Sequence, residues 1–146
     1  MNRIRVSVLA LLLLPALLTA CDSLGGGPKK LVITEGGCQN LKFLRMKLGQ
    51  ETRIVLNNEQ HHDTQDGMSL VMDRFPITVT GDLPPNSTVG PDFTSVTLRT
   101  SPGETASVDV KAFSTGEYLA NCNIALTQSD SNQVIQTKIA FQITDD

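Results

Sequence analysis

The stretch Val96-Thr97-Leu98-Arg99-Thr100-Ser101-Pro102-Gly103-Glu104-Thr105-Ala106-Ser107-Val108-Asp109-Val110-Lys111 decides the fold. On both sides of Ser101-Pro102-Gly103-Glu104, apolar and polar residues alternate with the period of two that belongs to a half-buried β-strand. The Pro-Gly pair between them marks a turn, because proline presets φ and glycine accepts the positive φ that tight turns need. Toward the C-terminus, Thr115-Gly116 precedes the β-like run Glu117-Tyr118-Leu119-Ala120-Asn121-Cys122. Gln136 to Thr144 is a further strand, with Ile139, Phe141 and Ile143 on one face. Toward the N-terminus, Gly81 to Phe93 is rich in Pro, Gly, Asn, Ser and Asp and reads as a long surface loop. Ser69 to Asp73 and Ile77 to Thr80 are shorter strands, and Asn58 to Asp66 is a polar loop holding both histidines of the chain. Leu41 to Leu48, the turn Gly49-Gln50 and Thr52 to Asn57 read as a hairpin or as one strand turning a corner. Leu31-Val32-Ile33-Thr34 is the first strand, stopped by Glu35-Gly36-Gly37. Beyond the first twenty residues no run shows helical periodicity. Short strands at this spacing indicate an all-β sandwich or Greek-key barrel. There is no internal repeat, and the sequon Asn86-Ser87-Thr88 in the long loop is read as carrying no glycan.

The N-terminus is of a different kind. Met1-Asn2-Arg3-Ile4-Arg5 is basic, and Val6 to Leu18 is an apolar run dominated by leucine. That run is too short to cross a bilayer, which needs roughly twenty apolar residues. A basic start, a short apolar centre and small residues before a cut describe a secretory signal over residues 1–20. Leu18-Thr19-Ala20-Cys21 resembles the bacterial lipobox, which implies a diacylglyceryl group on the Cys21 thiol and cleavage just before it. Two acyl chains hold a membrane firmly where one does not. Residues 21–30, with Gly25-Gly26-Gly27 at their centre, read as a flexible tether with a reach of about 15–20 Å. The expected location is the extracytoplasmic face of the cell membrane. Asp22 resembles the enterobacterial signal for retention at the inner membrane.

The 126 residues from Cys21 to Asp146 suffice for one domain with a core, placed at 31–146, and are too few for two. Losing Arg3 and Arg5 with the signal moves the formal charge from −3 to −5. An acidic domain has no electrostatic reason to bind nucleic acid. Of the three cysteines, Cys38 and Cys122 remain beside the lipidated one. In an oxidising compartment such a pair favours a disulfide, with a free thiol pair and metal binding by Cys122 as the alternatives.

Three features together resemble the cupredoxins, the small β-sandwiches that include blue copper proteins. The first is Leu48-Gly49-Gln50-Glu51-Thr52-Arg53-Ile54-Val55-Leu56-Asn57-Asn58. The second is the histidine that follows, His61 or His62. The third is Ser101-Pro102-Gly103-Glu104-Thr105, with Gly116-Glu117-Tyr118 and then Cys122 four residues on. Gly37-Cys38 and Gly116 to Cys122 are also similar to the pairs that bracket the cupredoxin-like domain of bacterial iron-uptake lipoproteins. The resemblance covers Leu31 to Thr144 and implies a cupredoxin-like Greek-key sandwich. An immunoglobulin-type corner does not fit, because its tyrosine stands two residues before the cysteine and the chain has no tryptophan.

The ligand set does not come with the resemblance. A blue copper centre takes a thiolate, two imidazoles and a weak axial methionine. No histidine or methionine follows Cys122, so an electron-transfer role would need an altered site. The other candidate is the loop His61-His62-Asp63-Thr64-Gln65-Asp66. Its imidazoles and carboxylates suit a copper or other transition-metal ion, with His62 as first choice and His61, Asp63 and Asp66 beside it. Adjacent side chains on an extended segment point to opposite faces, so the alternative is a solvated loop with no cofactor. No Ser-His-Asp arrangement, Gly-rich phosphate loop or zinc-protease spacing is present, and no enzymatic activity is expected. The expected role is a membrane-anchored binding or accessory domain, with the alternative of an interaction module that meets an envelope protein through the Gly81–Phe93 loop.

Overall fold

In chain order the elements are β1 (Lys29–Thr34), α1 (Glu35–Asn40), β2 (Phe43–Lys47), β3 (Glu51–Asn57), β4 (Gln65–Met72), β5 (Ile77–Val79), β6 (Thr88–Val89), β7 (Val96–Thr100), β8 (Thr105–Ala112), β9 (Gly116–Gln128) and β10 (Ser131–Thr144). The computed structural model describes residues 27–40, 43–59, 65–92, 94–128 and 131–146. The signal segment 1–20, Cys21 and the first part of the tether lie outside the described residues. The strand β1 starts at Lys29, two residues before the expected domain boundary.

The alternating stretch Val96–Lys111 gives β7 and β8, but the two strands do not pair. The turn Ser101–Glu104 carries the chain from one sheet to the other. One sheet has the order β1-β3-β8-β5, and the second has the order β2-β10-β9-β4-β7-β6. The chain thus crosses between layers at every connection except β6/β7 and β9/β10, and the result is the all-β sandwich expected from the sequence. Of the two readings of Leu41–Asn57, the corner is the observed one: β2 pairs with β10 and β3 with β1 and β8. A hairpin is excluded because these strands lie in different sheets.

Alternation predicts the buried side of each strand. Ala106, Val108, Val110 and Ala112 of β8 face Leu70 and Met72 of β4, Leu98 of β7 and Ile139, Phe141 and Ile143 of β10 in one core. Phe75 and Phe141 meet edge-on with centroids 5.3 Å apart, a favoured aromatic geometry. Lys29 Nζ donates to the Arg45 carbonyl at 3.0 Å, across the open side between β1 and β2. At the start of β9, Gly116 has φ +140° and a Cβ there would meet the Tyr118 ring at 3.1–3.3 Å. The ring turns back over it, and Tyr118 Oη donates to the Thr115 carbonyl at 3.1 Å.

Three readings need correction, one of them the Gly81–Phe93 loop, which holds the two-residue strand β6 paired with β7. Glu35-Gly36-Gly37, read only as the stop of the first strand, opens the one-and-a-half-turn helix α1. Two glycines make a poor helix, but Thr34 caps it: the Gly37 N–H donates to Thr34 Oγ1 at 3.1 Å. The Asn58–Asp66 loop is also shorter than expected, because Gln65 and Asp66 belong to β4.

Arg53 and Asp109 are cross-strand partners on β3 and β8, joined by two bonds of 2.7 Å. The guanidinium hydrogen bond, reinforced by its charge, holds the Asp109 carboxyl below its usual range. A lowered native pKa adds stability above the unfolded carboxylate value, and that stability is lost as pH falls through the native value. The difference in melting temperature between the wild type and Asp109→Asn is therefore expected to shrink below about pH 4 and with added salt. A difference independent of both pH and salt would show that the pair does not act through its charge.

Candidate binding site

Two regions carry the chemistry worth weighing: the cysteine pair inside the sandwich, and the outer face of the six-stranded sheet.

Cys122 lies in mid-β9 between Ala120 and Ile124, all three facing the core. Cys38 sits on α1, and the two form a disulfide with Cα atoms 5.7 Å apart. Both are essentially unexposed. Thr137 Oγ1 on β10 donates to the Cys38 carbonyl and lies 3.4 Å from the Cys122 carbonyl. The cap at Thr34, the disulfide and Thr137 together hold α1 onto β9 and β10.

This arrangement decides between the uses of Cys122 left open by the sequence. A sulfur bonded to another sulfur presents no thiolate to copper. Past Cys122, where a ligand loop would have to bend, β9 and β10 continue as one ladder with partners from Ile143↔Gly116 to Ser131↔Gln128. The residues present do not fit a blue copper centre. Among the described residues no three His, Cys, Asp or Glu side chains cluster as metal ligands. His61, His62 and Asp63 lie outside the described residues, and Asp66 is placed only by its backbone on β4.

The second region was not singled out from sequence. Register aligns Gln136, Asn123, Ser69 and Arg99 in one row across β10, β9, β4 and β7. With neighbouring strands about 4.8 Å apart, the row spans about 14 Å. Below and above it lie smaller and apolar residues: Val71 with Thr97 on one side, Ala125 with Val134 on the other. Over this face lies an open trough of about 890 Å³, lined also by Asn86 of the β5–β6 loop and by Val134. Small-ligand sites usually enclose roughly 300–1,000 Å³. Gly67 sits at a bulge of β4 where a Cβ would lie 2.7 Å from the Thr100 carbonyl oxygen, a close approach that a side chain would block.

The polar atoms of the row are only partly engaged. Asn123 Nδ2 donates to Ser69 Oγ at 3.2 Å, while Asn123 Oδ1 is buried without a donor. Arg99 is exposed and has no hydrogen-bond or ion-pair partner among the described residues. No described carboxylate lines the trough. In the β6–β7 connection, away from the trough lining, Asp92 accepts from the hydroxyl and amide of Thr94, and these bonds hold its carboxyl below the usual range. Alternation along β4, β7 and β9 predicts that Ser69, Arg99 and Asn123 point outward, but their meeting in one row depends on register between strands distant in sequence.

No family profile and no curated protein matches the sequence. Solved structures that resemble it include auracyanin B, at 16% identity over 80% of this chain and 88% of that one, with a TM-score of 0.45. A cysteine protease inhibitor of Entamoeba histolytica is 9% identical over 80% of this chain and 99% of that one, with a TM-score of 0.39. A multicopper oxidase of the hyperthermophile Aquifex aeolicus is 13% identical over 80% of this chain, which spans 30% of the oxidase, with a TM-score of 0.37. All three are partial superpositions, and the assignment of the fold rests on the strand order itself.

Proposed function

We propose that this chain is a lipid-anchored accessory domain of the bacterial cell envelope, a cupredoxin-like sandwich that binds rather than carries electrons. The observation that supports this reading is the engagement of Cys122 with Cys38. It converts the position where the resemblance implies a metal thiolate into a staple of the fold. The basic and apolar N-terminal segment with Leu18-Thr19-Ala20-Cys21 supports export and acylation. Such an anchor holds the domain at the extracytoplasmic surface, with the Gly-rich tether setting its reach. A transition-metal ion, in this reading, is held by His62 with His61, Asp63 and Asp66, and cysteine plays no part.

The test has two arms. Intact mass of the protein purified from membranes is expected to show a diacylglyceryl-modified chain starting at Cys21. A Cys21→Ala variant should carry no acyl mass and keep residues 1–20, and a wild-type mass without a diacylglyceryl group would remove the anchor. Addition of Cu(II) to the purified protein is expected to give no intense visible sulfur-to-copper charge-transfer band, and any Cu(II) bound should be lost in His62→Ala. An intense band, or free thiols by labelling under native conditions, would overturn the binding reading in favour of an altered electron-transfer site.

A further inference from the structure

We infer that the trough on the outer face of the six-stranded sheet is a binding site for a carboxylate flanked by hydroxyl groups, the chemistry of a uronic-acid unit. The inference stands on the trough alone and does not require the lipid anchor or any metal.

Three observations carry it. First, Arg99 brings the one described charge to the trough lining and has no partner among the described residues. A guanidinium offers a planar fork of donors that matches a carboxylate. Second, Asn123 Oδ1 is buried against the floor with no donor, an arrangement that costs free energy until a donor arrives. The oxygen is closed to solvent as placed, so a ligand hydroxyl meets it once the Asn123 side chain, which lines the trough, turns outward, and the Ser69 hydroxyl beside it can serve as donor or acceptor. Third, the row Gln136–Asn123–Ser69–Arg99 runs straight across four strands. Asn123, Ser69 and Arg99 of that row line the trough and present amide, hydroxyl and guanidinium in sequence across about 10 Å. That is long enough for about two sugar units, and a polyhydroxylated acid matches each of the three groups. Val71, Ala125 and Val134 beside the row can meet the C–H faces of such a ring. A neutral or cationic ligand would leave Arg99 unmatched, and a purely apolar one would leave the whole row unpaired.

The shared chemistry could be delivered by an acidic polysaccharide or by a free hydroxy acid. The test separates the two by titrating the purified full-length mature protein calorimetrically with trigalacturonate, with neutral galactotriose and with monomeric gluconate. Saturable binding of trigalacturonate is expected, at least about tenfold tighter than galactotriose, since one charge-assisted pair is worth about that factor. Arg99→Gln should lose about the same factor, and Ser69→Ala a smaller one. Both residues are on the solvent side of the sheet, and unchanged melting temperatures will confirm that the variants are folded. Binding of gluconate as tight as trigalacturonate, with the same loss in Arg99→Gln, supports the site with a small acid as its ligand. Binding of neither acid, equal binding of galactotriose, or binding indifferent to Arg99→Gln overturns the proposal. These outcomes are independent of acylation and of copper, so failure here leaves the envelope reading standing and the reverse.

Discussion

Replacing both cysteines, Cys38→Ser with Cys122→Ser, is expected to cost the domain about 4 kcal/mol of stability. The cross-link joins residues 84 apart, so the unfolded chain loses much of its freedom when it is closed. Chain-entropy reasoning for a loop of that length gives about 4–5 kcal/mol as an upper figure. A second effect adds to this one locally. The helix α1 has six residues, two of them glycine, and a helix so short does not persist without tertiary support. Without the bond, α1 should fray from β9 and β10 before the sheets part. Urea unfolding of the oxidised protein and of the double variant would measure the difference in midpoint, and amide exchange over 35–40 would report the local loss. Equal midpoints would mean that the pair contributes nothing to the folded state.

The second large effect is expected at Phe141. Its ring is fully buried in β10 and packs against Phe75 at the centre of the core. Phe141→Ala removes the ring and leaves a cavity that the two sheets cannot close, because each is held by its own ladder. Such truncations cost about 3–5 kcal/mol, a large share of the 5–15 kcal/mol typical of a domain. Phe113, 60% exposed, provides the control: its truncation should change the midpoint little. If the two variants unfold at the same urea concentration, the core assigned to Phe141 is wrong.

The strands were legible in the sequence because alternation is a local signal. Ala106, Val108 and Val110 on β8, and Ile139, Phe141 and Ile143 on β10, are buried as their spacing requires. The length of β9 and β10 was less legible. Past Cys122, Asn123-Ile124-Ala125-Leu126 alternates only weakly, and the ladder continues because each residue finds a partner on β10. The helix α1 was hidden for a similar reason: its glycines argue for a turn, and what stabilises it is a cap and a cross-link to a strand 84 residues away. Cysteine pairing could be read from the compartment implied by Leu18–Cys21, without any geometry. The trough could not be read at all. Arg99, Ser69 and Asn123 are ordinary outward-facing polar residues on three separate strands, and only the register between β4, β7 and β9 sets them side by side.

Strand order also governs how the domain reaches this state. The ladder between β2 and β10 pairs Phe43 with Ala140, and every crossing connection between the sheets adds contacts between residues distant along the chain. Topologies dominated by such pairings fold in milliseconds to seconds rather than microseconds. A chain delivered from its N-terminus would therefore leave β2 without a partner until β10 follows. Over that interval the exposed Phe43 edge is open to pairing with other chains. Its protection then depends on how quickly the last fourteen-residue strand arrives to cover it, which makes the rate of delivery, and not only final stability, a determinant of how much native protein forms.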